Sequence, residues 1–227
     1  HDPRFTTRSL GVGGVSTTTD VRVNSFVLGE TRFNSLVKRI AFAPLSISDA
    51  TGPLADGLLG ADILLAFDLD IDIPGHRLTL YDRRVCPRPK PPWPEGANEI
   101  TGVNIRRDQL VLPVMLDGVS GTALLDTGAQ GNLVGPSFAA RLGLTEQVMA
   151  GDPIVHQRGV GSGTTPARLH RFRLLQVGPI ATTSPTMAVM TRDVGIGDML
   201  IGEDVLQGHR IWLSFRPPQV FVSKSPR

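Results

Sequence analysis

The sequence predicts an all-β chain of two lobes with short helices, and three observations carry that prediction. Glycine and proline number 25 and 18 of 227 residues, and long helical periodicities are few, so turns punctuate the chain throughout. Short runs alternate apolar and polar residues at the strand period, as in Phe67-Asp68-Leu69-Asp70-Ile71-Asp72-Ile73. The chain also repeats itself. Leu59-Gly60-Ala61-Asp62-Ile63-Leu64 aligns without a gap on Ile201-Gly202-Glu203-Asp204-Val205-Leu206, and the match continues through residues 67–80 against 209–222 at a constant offset of 142.

Taken in order, the first half carries a glycine hairpin at Gly11-Val12-Gly13-Gly14, which pairs with Gly159-Val160-Gly161-Ser162 of the second half. Residues 21–28 and 36–42 are strand candidates. Residues 67–73 read as a half-buried strand with Leu69, Ile71 and Ile73 inward and the acids outward; the aligned stretch repeats the phase, with Ile211, Leu213 and Phe215 inward and Arg210, Trp212 and Ser214 outward. Three alternate aspartates raise the thought of calcium, but the glycine and distal glutamate of a calcium loop are missing.

Residues 83–98 then hold five prolines between Pro87 and Pro94, which fit neither a helix nor a ladder and predict a semi-stiff connector, with Trp93 pinning it onto a lobe. This divides the chain into a first lobe (1–82, incomplete at its amino end), a linker (83–99) and a complete lobe (100–227). After the linker, residues 110–116 and 122–125 are strands joined through Asp117-Gly118, a favoured hairpin pair. Residues 136–142 form one or two helical turns with Pro136 at the first position and Gly143 as the stop. Residues 168–177 and 186–190 are further strands. Asp62 and Asp204, identically placed in the two repeats, are expected to accept hydrogen bonds from free N–H groups at short helix starts.

The chemistry gathers at Asp126-Thr127-Gly128-Ala129, entered from the apolar run Ala123-Leu124-Leu125 and followed by Asn132-Leu133-Val134. Asp supplies a carboxylate able to activate water, Thr a hydroxyl able to lock the loop, and Gly the close approach of backbone N–H groups to the carboxylate. The ordered trio of this loop, the Gly159-Val160-Gly161 hairpin and Leu200-Ile201-Gly202 resembles the retropepsin-like aspartic proteases, specifically bacterial members with two lobes in one chain, over nearly the whole sequence.

That resemblance implies an aspartic endopeptidase with Asp126 as the catalytic carboxylate, Thr127 and Gly128 completing its loop, and Ala129 beside the substrate. It implies flap tips at Gly159, Val160, Gly161 and Ser162 and, by the repeat, at Gly11, Val12, Gly13 and Gly14. The substrate is then an extended polypeptide, and the two-carboxylate mechanism calls for no metal and no cofactor.

One departure stands out. Such a site needs two facing Asp-Thr/Ser-Gly loops, and no acid of the first half is followed by Thr/Ser-Gly; Asp49-Ala50-Thr51-Gly52 has one residue too many and lies after the flap. The repeat sets the first lobe's loop before His1. The expectation is a chain trimmed at its front, with a companion amino-terminal fragment carrying the second Asp. The alternatives are a homodimer pairing residues 100–227 with the same lobe of another copy, and a catalytically inactive peptide-binding or protein-interaction module.

Other classes are excluded or disfavoured. A formal net charge of +2, with arginines at 83, 84 and 88 and at 168, 171 and 173 unaccompanied by interleaved aromatics, does not imply nucleic acid; these read as solvated faces. No run of apolar residues is long enough for a membrane span. The five histidines have no metal-ligand spacing, and neither a G-x-S-x-G elbow nor a P-loop occurs. Cys86, the single cysteine, forms no internal disulfide. A periplasmic or otherwise exported location is expected from the bacterial relatives.

Overall fold

The computed structural model describes residues 6–22, 25–33, 39–42, 48–49, 52–53, 58–85, 90–94, 96–161 and 163–223. Two compact units emerge, one of residues 1–57 with 157–165 and one of residues 58–156 with 166–227. The protein is all-β with short helices, as the turn-rich composition predicts.

The smaller unit holds β1 (Thr6–Gly11), β2 (Gly14–Arg22), β3 (Phe26–Leu28), β4 (Thr31–Phe33), β5 (Arg39–Phe42), β6 (Ser48–Asp49) and β7 (Gly52–Pro53). β1, β2 and β5 form one antiparallel sheet, and the other four strands pair as two small hairpins. The expected strand over 21–28 is thus split between β2 and β3, and that over 36–42 is described only as β5.

In the larger unit α1 (Ala61–Leu64) precedes β8 (Phe67–Asp72), β9 (Arg77–Asp82), β10 (Ala97–Ile100), β11 (Asn104–Arg106), β12 (Gln109–Leu116), β13 (Val119–Leu125) and β14 (Leu133–Val134). Then come α2 (Pro136–Arg141), β15 (Ile154–Gln157), β16 (Thr165–Arg171), β17 (Leu174–Val177), β18 (Ile180–Thr183), β19 (Thr186–Met190), β20 (Met199–Ile201), α3 (Glu203–Leu206), β21 (Arg210–Phe215) and β22 (Pro218–Ser223).

The predicted hairpin is β12–β13, turning on Asp117 and Gly118, both at positive φ. Leu110, Leu112, Val114 and Leu116 alternate into the core as the period-2 reading requires. The strand expected over 168–177 breaks in two after Arg171, where Phe172 N–H turns to donate to the Pro185 carbonyl.

A five-stranded sheet in the order β10-β22-β21-β8-β9 brings the two copies of the repeat side by side. β8 and β21 are antiparallel, with Asp72 opposite Arg210, Ile71 opposite Ile211, Asp70 opposite Trp212 and Leu69 opposite Leu213. At the repeat offset of 142, Asp70 and Trp212 are equivalent residues. Equivalent residues that pair with each other in antiparallel strands lie on a local two-fold axis, so the sequence repeat is realised here as a pseudo-dyad through Asp70 and Trp212.

The phase expected for these strands holds, but the exposure does not. Leu69, Ile211 and Leu213 are buried as anticipated, yet Asp68, Asp70, Trp212 and Ser214 on the opposite face are buried too, at 0%, 1%, 1% and 2% exposure. The cause is a cover: Trp93 of the proline-rich segment, itself buried, donates its indole N–H to Asp70 Oδ1 at 3.2 Å. Arg210 grips the same carboxylate with both arms of its guanidinium, at 2.8 and 2.6 Å, and lies over the Trp93 ring. Tyr81 stacks at a tilt on Trp212, ring centres 4.8 Å apart. A buried carboxylate is tolerable only when paired and hydrogen-bonded, which Asp70 is.

Asp68 is less well served. The Ser214 hydroxyl and the Arg83 guanidinium face it, but among the described residues neither oxygen has a partner in hydrogen-bond geometry. Burial raises its carboxyl above the ordinary range, outweighing the lowering by Ser214 and Arg83. The folded state therefore holds this proton more tightly than the unfolded chain. Stability from Asp68 is full at acid pH and is lost as pH rises from the unfolded value through the folded one. Asp68→Asn is expected to stabilise the protein near neutral pH and to flatten that part of the pH dependence; urea midpoints at about pH 4 and about pH 7 read both effects.

Candidate active site

β13 is an interior strand that runs parallel to β20, with Ala123, Leu124 and Leu125 opposite Met199, Leu200 and Ile201. Asp126 continues this ladder by one bond, its N–H donating to the Ile201 carbonyl at 3.0 Å. The chain then rounds the end of β20 and returns on its other side as β14, which pairs antiparallel to β20 and parallel to β19. Asp126 is thus presented at a strand end by a loop straddling β20.

Within the loop, Gly128 N–H donates to Asp126 Oδ1 at 2.9 Å and Ala129 N–H to the Asp126 carbonyl at 3.2 Å. Asp126, Thr127 and Gly128 are exposed and Ala129 is half-buried. Among the described residues no hydrogen bond reaches the Thr127 hydroxyl.

The far side of the loop is fastened by the start of α3. Gly202 N–H donates to Asn132 Oδ1 at 2.9 Å, Glu203 N–H to the Ala129 carbonyl at 2.8 Å, and Asp204 N–H to the Gln130 carbonyl at 3.2 Å. This corrects the expectation for Asp204. No side chain caps α3, because its free N–H groups are already spent on the loop carbonyls and Asn132; the Asp204 carboxylate sits against Gly131 instead. α1 likewise starts at Gly60 without a side-chain cap.

Gly202 itself leaves no room for more, since a Cβ there would stand 2.5 Å from the carbonyl oxygens of both Ala129 and Gly131. Asn132, only 5% exposed, is the side chain that fastens this loop to the start of α3, a role its sequence position does not announce. A buried-type position holding an amide just after an Asp-Thr-Gly loop was its one visible signal.

A second brace sits beneath. Asp198, at the entry to β20, accepts Thr122 N–H of β13 at 3.1 Å and a forked pair from Arg141 of α2 at 2.8 and 3.2 Å. Arg141 also reaches the Ser120 carbonyl and lies over the Phe138 ring, whose edge fills the space beside Gly121. Burial pulls the Asp198 carboxyl up, but the Arg141 and Thr122 hydrogen bonds outweigh it and leave it below the ordinary value. α2 begins with Pro136 at its first turn and stops before Gly143 at φ +75, as expected.

The glycine hairpins belong to the smaller unit. They meet tip to tip: Gly13 N–H donates to the Val160 carbonyl at 3.0 Å, Gly163 N–H to the Gly13 carbonyl at 2.9 Å, and the Thr165 hydroxyl to the Val12 carbonyl at 2.6 Å. The contact needs glycine. A Cβ on Gly13 would lie 2.9 Å from the Gly159 carbonyl, and one on Gly161, at φ +113, would lie 2.5 Å from Gly13. Gly11 and Gly14 flank the first tip and Gly159 and Val160 the second; Ser162 falls outside the described residues.

Not every arginine expected on a solvated face is there. Arg168 is largely enclosed and ties the carbonyls of Met149 and Asp152, beside a His170–Asp152 contact of 2.6 Å. Among the described residues no group of His, Cys, Asp or Glu is placed to hold a metal ion, and no helix is long and apolar enough to cross a membrane.

The site is thus an aspartate at a strand end, in a loop that straddles a parallel neighbour and is fastened by a glycine-led helix start. Residues 112–205, from β12 to α3, match the family model described as aspartyl protease, so the likeness read from Asp126-Thr127-Gly128 is shown over that stretch. Similar solved structures include a retropepsin-like aspartic protease from Rickettsia conorii, 18% identical over 56% of this chain and 89% of that one, with a TM-score of 0.43. Another is the retroviral protease-like domain of Ddi1 from Leishmania major, 24% identical over 45% of this chain and 78% of that one, with a TM-score of 0.34. No curated protein matches the chain.

Proposed function

We propose that the protein is an aspartic endopeptidase in which Asp126 shares one proton and one water with a second aspartate, presented by a facing Asp-Thr/Ser-Gly loop on a companion amino-terminal segment. The observation that carries this reading is the Asp126 loop: an exposed carboxylate at a strand end, oriented by Gly128 N–H and braced through Ala129, Gln130 and Asn132 by α3.

Two carboxylates close together do not both ionise readily, so such a pair holds a single proton. The ionised member takes a proton from water as the water oxygen attacks the peptide carbonyl, while the protonated member donates a hydrogen bond to the developing oxyanion. Collapse of the tetrahedral species breaks the C–N bond, with a proton passing to the leaving amine. The substrate is an extended polypeptide segment, held by backbone hydrogen bonding to the tips at Gly11–Gly14 and 159–163 in the manner of an added strand. An exported or periplasmic setting belongs to the same proposal.

The test is cleavage of unstructured peptides, followed by mass spectrometry from about pH 3 to about pH 8, by the purified protein and by Asp126→Ala, with the intact mass of any co-purifying fragment recorded. Cleavage lost on substitution supports the reading. Peptide retained without cleavage by either form, and without a companion fragment, would replace it with a peptide-binding module.

Ala129 gives a finer expectation. A serine there adds a hydroxyl able to hydrogen-bond the ionised carboxylate, so Ala129→Ser is expected to move the acidic limb of kcat/KM down by up to about one pH unit. An unmoved limb would count against that role for position 129.

A further inference from the structure

We propose that the outer face of β8 and β21 is a pairing code: it makes the first copy of the repeat associate with the second copy in the same chain and bars either from pairing with a duplicate of itself. The pseudo-dyad through Asp70 and Trp212 makes the comparison direct. If a second molecule's β21 took the place of β8 about the same axis, Trp212 would face Trp212 and Arg210 would face Ser214. If a second β8 took the place of β21, Asp70 would face Asp70 and Asp68 would face Asp72.

The observed arrangement is complementary instead. The first copy contributes Asp68, Asp70 and Asp72, and the second contributes Ser214, Trp212 and Arg210 opposite them. Asp70, 1% exposed, takes both arms of Arg210 and the indole N–H of Trp93, so one carboxylate ties β8 to two other segments of the chain. In a β8–β8 pair, carboxylates would be buried against each other across the axis; like charges directly opposite destabilise a sheet, and buried ones without a partner cost far more. In a β21–β21 pair, Arg210 would lose Asp70, and two indoles would compete for the space that one Trp212 fills against Tyr81.

The consequence for the active site rests on the two-carboxylate reading: the loop facing Asp126 comes from the side of the dyad that carries β8, and a second copy of residues 100–227 does not supply it.

The experiment reads assembly and stability and needs no cleavage, so its failure is separable from failure of the protease reading. Sedimentation velocity and urea unfolding are run on the whole chain, on Asp70→Arg, on Arg210→Asp and on the exchange Asp70→Arg/Arg210→Asp. The wild-type chain is expected to sediment as a single copy. Each single substitution buries like charges and is expected to lower the folded-to-unfolded ratio by about a hundredfold or more. The exchange restores opposite charges and is expected to recover at least about tenfold of that loss over the weaker single variant. A wild-type chain that sediments as two copies would overturn the proposal. So would single variants within a few-fold of wild type, or an exchange no more stable than the weaker single variant.

Discussion

Asp126→Asn is expected to abolish peptide cleavage, by roughly 10³-fold or more in kcat/KM, while leaving the thermal midpoint close to that of the wild type. The two halves of this expectation have different physical origins. Asparagine has nearly the shape of aspartate and keeps an oxygen to accept Gly128 N–H, so the 2.9 Å contact that orients the side chain survives. Asp126 is exposed, and the loop around it is held by the backbone bonds from Glu203, Asp204 and Asp126 itself and by Asn132, none of which involves the carboxylate. The folding cost is therefore no more than about 1 kcal/mol. What asparagine cannot do is ionise, and a neutral amide neither takes a proton from water nor shares one with a second carboxylate. Kinetics with a quenched peptide, set beside a thermal melt of the same sample, separate the effects. A variant that kept more than about a tenth of the activity would remove Asp126 from the chemistry altogether.

The parts of this molecule that were legible in its sequence are those written in local chemistry. Asp117-Gly118 demands a turn with both residues at positive φ, and the alternation Leu110, Leu112, Val114, Leu116 decides which face of β12 is buried. Pro136 and Gly143 bracket α2 because one lacks an N–H that the first turn does not need and the other accepts the left-handed stop. The offset of 142 foretold a repeat, and the register of β8 on β21 turns that offset into an axis.

What escaped is non-local. The acids of β8 do point away from the apolar face, but whether that face is wet depends on where Trp93 lands, 23 residues further on. The fastening of α3 to the Asp126 loop is made mainly by backbone groups, which leave no signature in residue identity beyond a glycine with no space around it. An acid in a first turn commonly caps it; Asp204 does not, because the N–H groups it would serve are already taken.

That glycine makes the second large expectation. Gly202→Ala is expected to cut kcat/KM by about 10²-fold and to cost about 1–3 kcal/mol of stability. The added methyl would stand 2.5 Å from the carbonyl oxygens of Ala129 and Gly131, closer than a Cβ can approach, and both obstacles are backbone atoms that no rotamer change removes. Either α3 backs away, stretching the bonds from Gly202 to Asn132 and from Glu203 to Ala129, or the loop from Asp126 to Gly131 moves outward. Both displace the carboxylate by a fraction of an ångström to about one, which is enough to cost catalysis heavily when water and carbonyl must be held in line. The matched control is Gly208→Ala just beyond α3, where an added Cβ meets nothing within 4 Å; it should leave both readouts within error of the wild type. The decisive pattern is a fall in activity larger than the fall in stability predicts, measured at a temperature where the variant is fully folded. A Gly202→Ala chain of full activity would mean that α3 does not position the loop, and that the three hydrogen bonds joining them are incidental to the chemistry.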